Sequence, residues 1–159
     1  MKTITFNIIF FLYTTISIAQ NYTLSELIKI NNYNLDDFDT YVTQRGYKYY
    51  KSKSSDFSDG TSYVYTVNGI RKSYITKYYR KLVNTEMISF QTSNNTIYLK
   101  IKAELKTLGF KFIKTETFEG DTFFDYKKGK MEVSLSSGTQ DGLNGEKLTY
   151  YEISVKREF

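Results

Sequence analysis

Apolar positions recur at two spacings along most of this chain, and the spacings divide it into elements. Leu24, Leu27 and Ile28 fall on one face of a short helix opened by Thr23-Leu24-Ser25-Glu26, a capping-box pattern. Leu35, Phe38, Tyr41 and Val42 do the same for a second helix. Asn34 is its expected N-cap, Asp36 and Asp37 suit the positive end of its dipole, and Gly46 is expected to stop it. Ile97, Tyr98, Ile101, Leu105 and Leu108 predict a third helix, capped by Asn95 and stopped by Gly109.

Between and after these helices the period changes to two. Runs rich in β-branched and aromatic residues predict strands at Tyr47–Lys53, Ser62–Val67, Ser73–Arg80 and Glu86–Thr92, then at Phe110–Phe118, Thr122–Lys127, Lys130–Ser136 and Leu148–Arg157. Asp59-Gly60, Asn68-Gly69, Glu119-Gly120-Asp121 and Lys128-Gly129 are the expected turns, Asn-Gly being a strong hairpin signal. Met131, Val133 and Leu135 alternate with Lys130, Glu132 and Ser134, as in a sheet with one face in water. Ser137–Lys147, with glycines at 138, 142 and 145, is expected to be a long polar loop of the kind that carries binding.

The two halves align without gaps at an offset of 63 residues. Asn31-Asn32 matches Asn94-Asn95, and Gly46-Tyr47-Lys48-Tyr49-Tyr50-Lys51 matches Gly109-Phe110-Lys111-Phe112-Ile113-Lys114. The expected fold is therefore α+β: two tandem units, each a helix plus four antiparallel strands, with helices packed on one sheet face. Residues 20–93 form the first unit and 94–159 the second, together making one compact domain. This element order resembles the tandem β-lactamase-inhibitor-protein-like domains, a resemblance of architecture that brings no functional residue with it. The Leu24–Lys51 stretch also resembles the start of secreted Bacteroidetes-type proteins, which implies export and nothing about activity.

The N-terminus points to export independently. Met1-Lys2 is a short positive start, an apolar run follows to about Ile18, and Ser17-Ile18-Ala19 sets small residues where a signal peptidase cuts. Residues 1–19 are expected to be removed, leaving Gln20 first. A membrane anchor is the competing reading, but the dense apolar part, Ile8–Leu12, is short beside the roughly 20 residues a spanning helix needs. No later segment approaches that length, so no membrane insertion is expected after cleavage. The expected location is the periplasm or the exterior.

Composition narrows the chemistry. The chain has no cysteine and no histidine, which excludes disulfides, Ser-His-Asp and Cys-His catalysis, and ordinary zinc sites. Its net charge of +5 is modest and spread along the chain, so nucleic acid is not an expected partner. No cofactor is expected, because the glycines are isolated turn residues rather than a phosphate-binding loop. Asp36, Asp37 and Asp39 are the densest acids but sit at a helix start, where capping explains them.

Tyrosine and phenylalanine are abundant, at 16 and 12 residues. Much of that excess matches A/T-rich codons. Tyr47, Tyr49, Tyr63, Tyr65, Tyr74 and Tyr78 nonetheless alternate on three successive strands, so each strand's set points to one side. Such a stripe is either core beneath a helix or an exposed aromatic face. The expected function is a non-enzymatic binding protein with a protein or polysaccharide partner, using Tyr63, Tyr65, Tyr74 and Tyr78 with Asp141 and Asn144 of the adjoining loop. A small carboxylate-dependent hydrolase is the alternative and requires two acids from different strands to converge.

N-terminal sequencing of the protein from its native host is expected to begin within a few residues of Gln20. An intact Met1 on the exported protein contradicts that reading.

Overall fold

The computed structural model describes residues 22–118, 121–141 and 146–157. The proposed leader and Asn144 lie outside the described residues. Three helices, α1 (Leu24–Asn31), α2 (Leu35–Gln44) and α3 (Asn95–Thr107), pack on one face of a single sheet. The strands are β1 (Lys48–Ser54), β2 (Ser58–Val67), β3 (Ile70–Arg80), β4 (Thr85–Thr92), β5 (Lys111–Phe118), β6 (Asp121–Lys128), β7 (Met131–Asp141) and β8 (Lys147–Arg157). They form one open eight-stranded sheet in the order β1-β2-β3-β4-β8-β7-β6-β5, with every neighbouring pair antiparallel.

This order is two four-strand meanders joined at β4 and β8. Ile88 sits opposite Val155 and Phe90 opposite Ile153 across that seam, and all four are buried. The 63-residue offset reappears in the backbone. A bulge interrupts β1–β2 between Tyr49 and Lys51, and another interrupts β5–β6 between Phe112 and Lys114. The helix stops match as well. The Tyr47 amide donates to Val42 O at 3.1 Å and that of Phe110 to Leu105 O at 2.9 Å, while Gly46 and Gly109 stand at φ +82° and +78°. These are Schellman closures, each completed by burial of the aromatic residue and its helix partner.

Helix α1 lies over β4 and β8, at the middle of the sheet, where Leu24, Leu27 and Ile30 are fully buried. The capping box forms as expected: the Glu26 amide donates to the Thr23 hydroxyl at 3.2 Å, and the Thr23 amide to Glu26 at 2.9 Å. Glu104 of α3 accepts a further α1 amide, from Leu24, at 2.7 Å. At the other end, the Lys77 ammonium donates to Asn31 O at 3.0 Å and to Glu86 at 3.1 Å. Arg157 reaches the Asn32 side chain. Glu26 also pairs with Arg45, whose guanidinium lies between the rings of Tyr22 and Tyr41.

Several expectations are corrected. Asp59-Gly60 lies inside β2 rather than in a turn; the reversal comes earlier, where the Ser55 amide donates to Ser58 O at 2.9 Å. The expected loop at Ser137–Lys147 is largely hairpin, with Ser137 opposite Tyr151 and Asp141 opposite Lys147. Its polar residues continue the ladder because their backbone groups pair whatever the side chains are. Asn94, not Asn95, caps α3. Leu35 is exposed, leaving Phe38 and Val42 as the buried face of α2.

Two predictions follow from the caps. A valine at Gly46 or Gly109 must adopt positive φ and is expected to cost more than about 1 kcal/mol in urea melts. The cost is greater at Gly46, where a Cβ also meets the Tyr65 ring at 3.3 Å. The second concerns Glu26. Burial pushes its carboxyl up, but hydrogen bonds from Thr23 and the Arg45 guanidinium outweigh this and hold it below the ordinary value of 4.5. A carboxyl lowered on folding stabilises above its unfolded pKa, and that contribution is lost as pH falls through the folded value. Glu26→Gln is therefore expected to destabilise by about 1 kcal/mol at neutral pH. Its deficit against the parent should shrink in melts below pH 4.5.

Candidate functional site: the open sheet face

Cross-strand partners share a face, so the register sorts every strand residue to the helix side or the open side. Tyr63 is opposite Ile75, which is opposite Phe90; all three are buried on the helix side. The four candidate tyrosines therefore do not make one surface. Tyr63 packs edge-on against Phe38 of α2 at 5.7 Å, and burial together with the facing Asp39 carboxylate raises its hydroxyl pKa. Tyr65 is half-buried on the same side, against Tyr47 at 5.5 Å. Tyr74 and Tyr78 point the other way, opposite Gln91 and Met87 of β4. Tyr50 and Tyr79 are both exposed. Asp141 closes the β7–β8 ladder.

The open face has a polar middle. Ser62, Thr76, Ser89, Ser154 and Ser134 lie opposite one another on five adjacent strands. The Thr76 hydroxyl donates to Ser62 at 3.0 Å, and those of Ser89 and Ser154 donate to Glu152 at 2.7 and 3.3 Å. This hydroxyl row ends at Asp125 of β6, opposite Ser134, with the Lys114 ammonium 4.0 Å from its carboxylate.

Aromatic residues flank the row. At one end the rings of Tyr50 and Tyr74 meet edge to face at 5.7 Å. Arg71 donates to the Tyr74 hydroxyl at 3.1 Å and stands 5.1 Å from the Tyr50 centroid; Lys51 stands 5.3 Å from it. At the other end Tyr78 lies across Gly60, where an added Cβ would come within 2.8 Å of the ring. Burial raises the Tyr78 hydroxyl pKa. The same device recurs on the far half. Tyr150 lies across Gly138, opposite it in register, and donates to Asp121 at 2.5 Å. That bond, with burial, pushes its hydroxyl up to about 12.

Beyond Tyr78 the face ends in an apolar depression of about 460 Å³ lined by Phe57, Tyr78, Arg80, Leu82, Val83 and Met87. Two loops are stitched together here. The Lys81 amide donates to Phe57 O at 2.9 Å, and its ammonium reaches Ser55 O and Asp59. Phe57, Leu82 and Val83 are left exposed on this braced tip.

Sequence reasoning missed Tyr50, Arg71, Tyr150 and Glu152 as members of this face. The usable signal was glycine inside a strand, which marks a close approach such as those at Gly60 and Gly138. Among the described residues, no group of three or more acidic side chains is placed to hold a metal ion, and no helix is long and apolar enough to cross a membrane. Comparison with protein-family models, curated proteins and solved structures yields no match.

Proposed function

We propose that the chain is an exported, non-enzymatic binding protein that holds a protein or polysaccharide partner on the open face of its sheet. One observation carries this reading: among the described residues all three helices cover the same side and nothing covers the other side of the eight strands, where half-exposed tyrosines flank a polar middle. Tyrosine suits such a face, offering large contact area, few rotors and a hydroxyl. The glycines beneath Tyr78 and Tyr150 let those rings lie across the sheet. The finer architecture we favour is a tandem of two copies of one helix-plus-four-strand plan, supported by the equivalent bulges and helix stops.

The hydrolase alternative has less support. Asp121 is tied to the Tyr150 hydroxyl, Asp125 faces Lys114 and Glu152 accepts two serine hydroxyls. Each of these acids already has a structural partner.

Tyr74→Ala with Tyr78→Ala is expected to weaken capture of the partner from native envelope extract by about tenfold or more. Tyr65→Ala, on the helix side, is expected to lower the urea midpoint and leave capture unchanged. Full capture by the folded double variant would remove the open face as the binding surface.

A further inference from the structure

We propose that the β1–β3 half of the open face binds an acidic polysaccharide, placing its carboxylates on Lys48, Lys51, Lys53 and Arg80 and its hydroxyls over the half-exposed Ser62 between them. This rests on the open-face reading and narrows it to one chemical class.

Charge segregation carries the inference. Lys48 lies opposite Val64, itself opposite Tyr74; Lys51 lies opposite Ser62, and Lys53 opposite Gly60. All three lysines thus share the side of Tyr74, Thr76 and Tyr78, and Arg80 follows Tyr78 by two residues on it. No salt bridge engages Lys48, Lys51, Lys53 or Arg80 among the described residues. Lysines commonly protect sheet edges. Here, however, the helix-side residues of β1 carry no charge: Tyr49, Ser52 and Ser54 lie opposite Tyr63, Thr61 and Asp59. The carboxylates of β1–β4, Asp59 and Glu86, both lie on the helix side in register and pair with Lys81 and Lys77. The open sides of β1–β3 are therefore cationic and carry no carboxylate of their own, the Glu152 carboxylate of β8 reaching only as far as Ser89 of β4, and a polyanion is their electrostatic complement.

The remaining surface selects among polyanions. A protein partner needs a buried apolar or aromatic centre, and the centre here is a row of small hydroxyls. Single-stranded nucleic acid needs free ring faces on which bases stack. The Tyr50 ring is already approached by Lys51 and Arg71, and Tyr74 meets it edge to face. An anionic membrane needs apolar groups among the cations, but Phe57, Leu82 and Val83 sit together at one end. A polyuronate matches both features, with carboxylates for the cations and hydroxyls for the polar, ring-free surface around Ser62 between them. Individually weak contacts repeated along a chain then add through multivalency.

Binding to alginate, a polyuronate, is compared with binding to neutral dextran, oligo-dT and phosphatidylglycerol vesicles, at low and at physiological ionic strength. Alginate is expected to bind, to weaken with salt, and to bind more tightly than the other three. The triple variant Lys48→Ser, Lys51→Ser, Lys53→Ser is expected to lose about tenfold in alginate affinity at an unchanged urea midpoint, with recovery in the Lys→Arg triple. Absence of alginate binding overturns the proposal. So does equal affinity for dextran, or tighter binding of oligo-dT or vesicles. If the serine triple keeps its affinity while Tyr74→Ala with Tyr78→Ala loses it, the charge argument falls and the open-face reading stands. If neither variant changes alginate binding, both fall.

Discussion

The arrangement of this molecule turns on one buried lysine. Lys77 is on the helix side of β3, only 8 % exposed, in a row that contains Ile88, Val155 and Val133. A lone ammonium there would cost several kcal/mol. It is tolerated because the C-terminus of α1 ends directly above it. The Asn31 carbonyl accepts a hydrogen bond from it and the Glu86 carboxylate balances its charge. The interaction works in both directions, since the cation also satisfies the negative end of the α1 dipole. At the other end of α1, Glu26 and Glu104 accept the backbone amides of Thr23 and Leu24, and the Thr23 hydroxyl accepts that of Glu26. The short helix is thereby pinned at both ends over the β4–β8 seam.

That lysine also decides which side of β3 faces outward. The strand has two possible faces, Ser73-Ile75-Lys77-Tyr79 and Tyr74-Thr76-Tyr78-Arg80. By hydrophobicity they are nearly balanced. A reading of alternation alone could group Tyr74 and Tyr78 with Tyr63 and Tyr65, all at alternate strand positions. The register separates them, because Ile75 pairs with Tyr63 and Phe90, and Lys77 goes inward with Ile75 to meet α1. No local pattern reports a helix terminus brought over a strand from 46 residues away.

What was legible in the sequence is what local physics determines. The eight strands and three helices of the described residues are all present where expected, though β2 begins at Ser58 rather than Ser62 and β7 runs to Asp141 rather than Ser136, because period, caps and glycine stops act over a single turn or hairpin. The bulges at the 63-residue offset and the matched Schellman closures were implicit in the Gly-aromatic-Lys-aromatic repeat. The candidate site was only half legible. Tyr74 and Tyr78 reach the open face, but Tyr50 does so through a bulge and Tyr150 through a distant glycine. The long β7–β8 hairpin was hidden by its polar composition: Gly138–Asp141, which read as a loop, pair with Lys147–Tyr150 and extend a ladder that the rest of the sheet already holds in register.

The same pinning shapes the charge of the uncovered face. In the first half of the chain, acids are held toward the helices: Glu26 by Thr23 and Arg45, Glu86 by Lys77, and Asp59 by Ser54 and Lys81. Each of these contacts braces a helix end or a loop. Their common side leaves the outward lysines of β1 without neutralising neighbours. In the second half the situation differs, because Glu152 and Asp125 lie on the open side among serines and lysines. The sheet thus presents a cationic half and a mixed half, and the boundary falls between β4 and β8, at the seam that α1 covers from behind. Fold stability and surface charge are consequently coupled: the carboxylates that anchor the first-half helices and loops are the ones withheld from the open face.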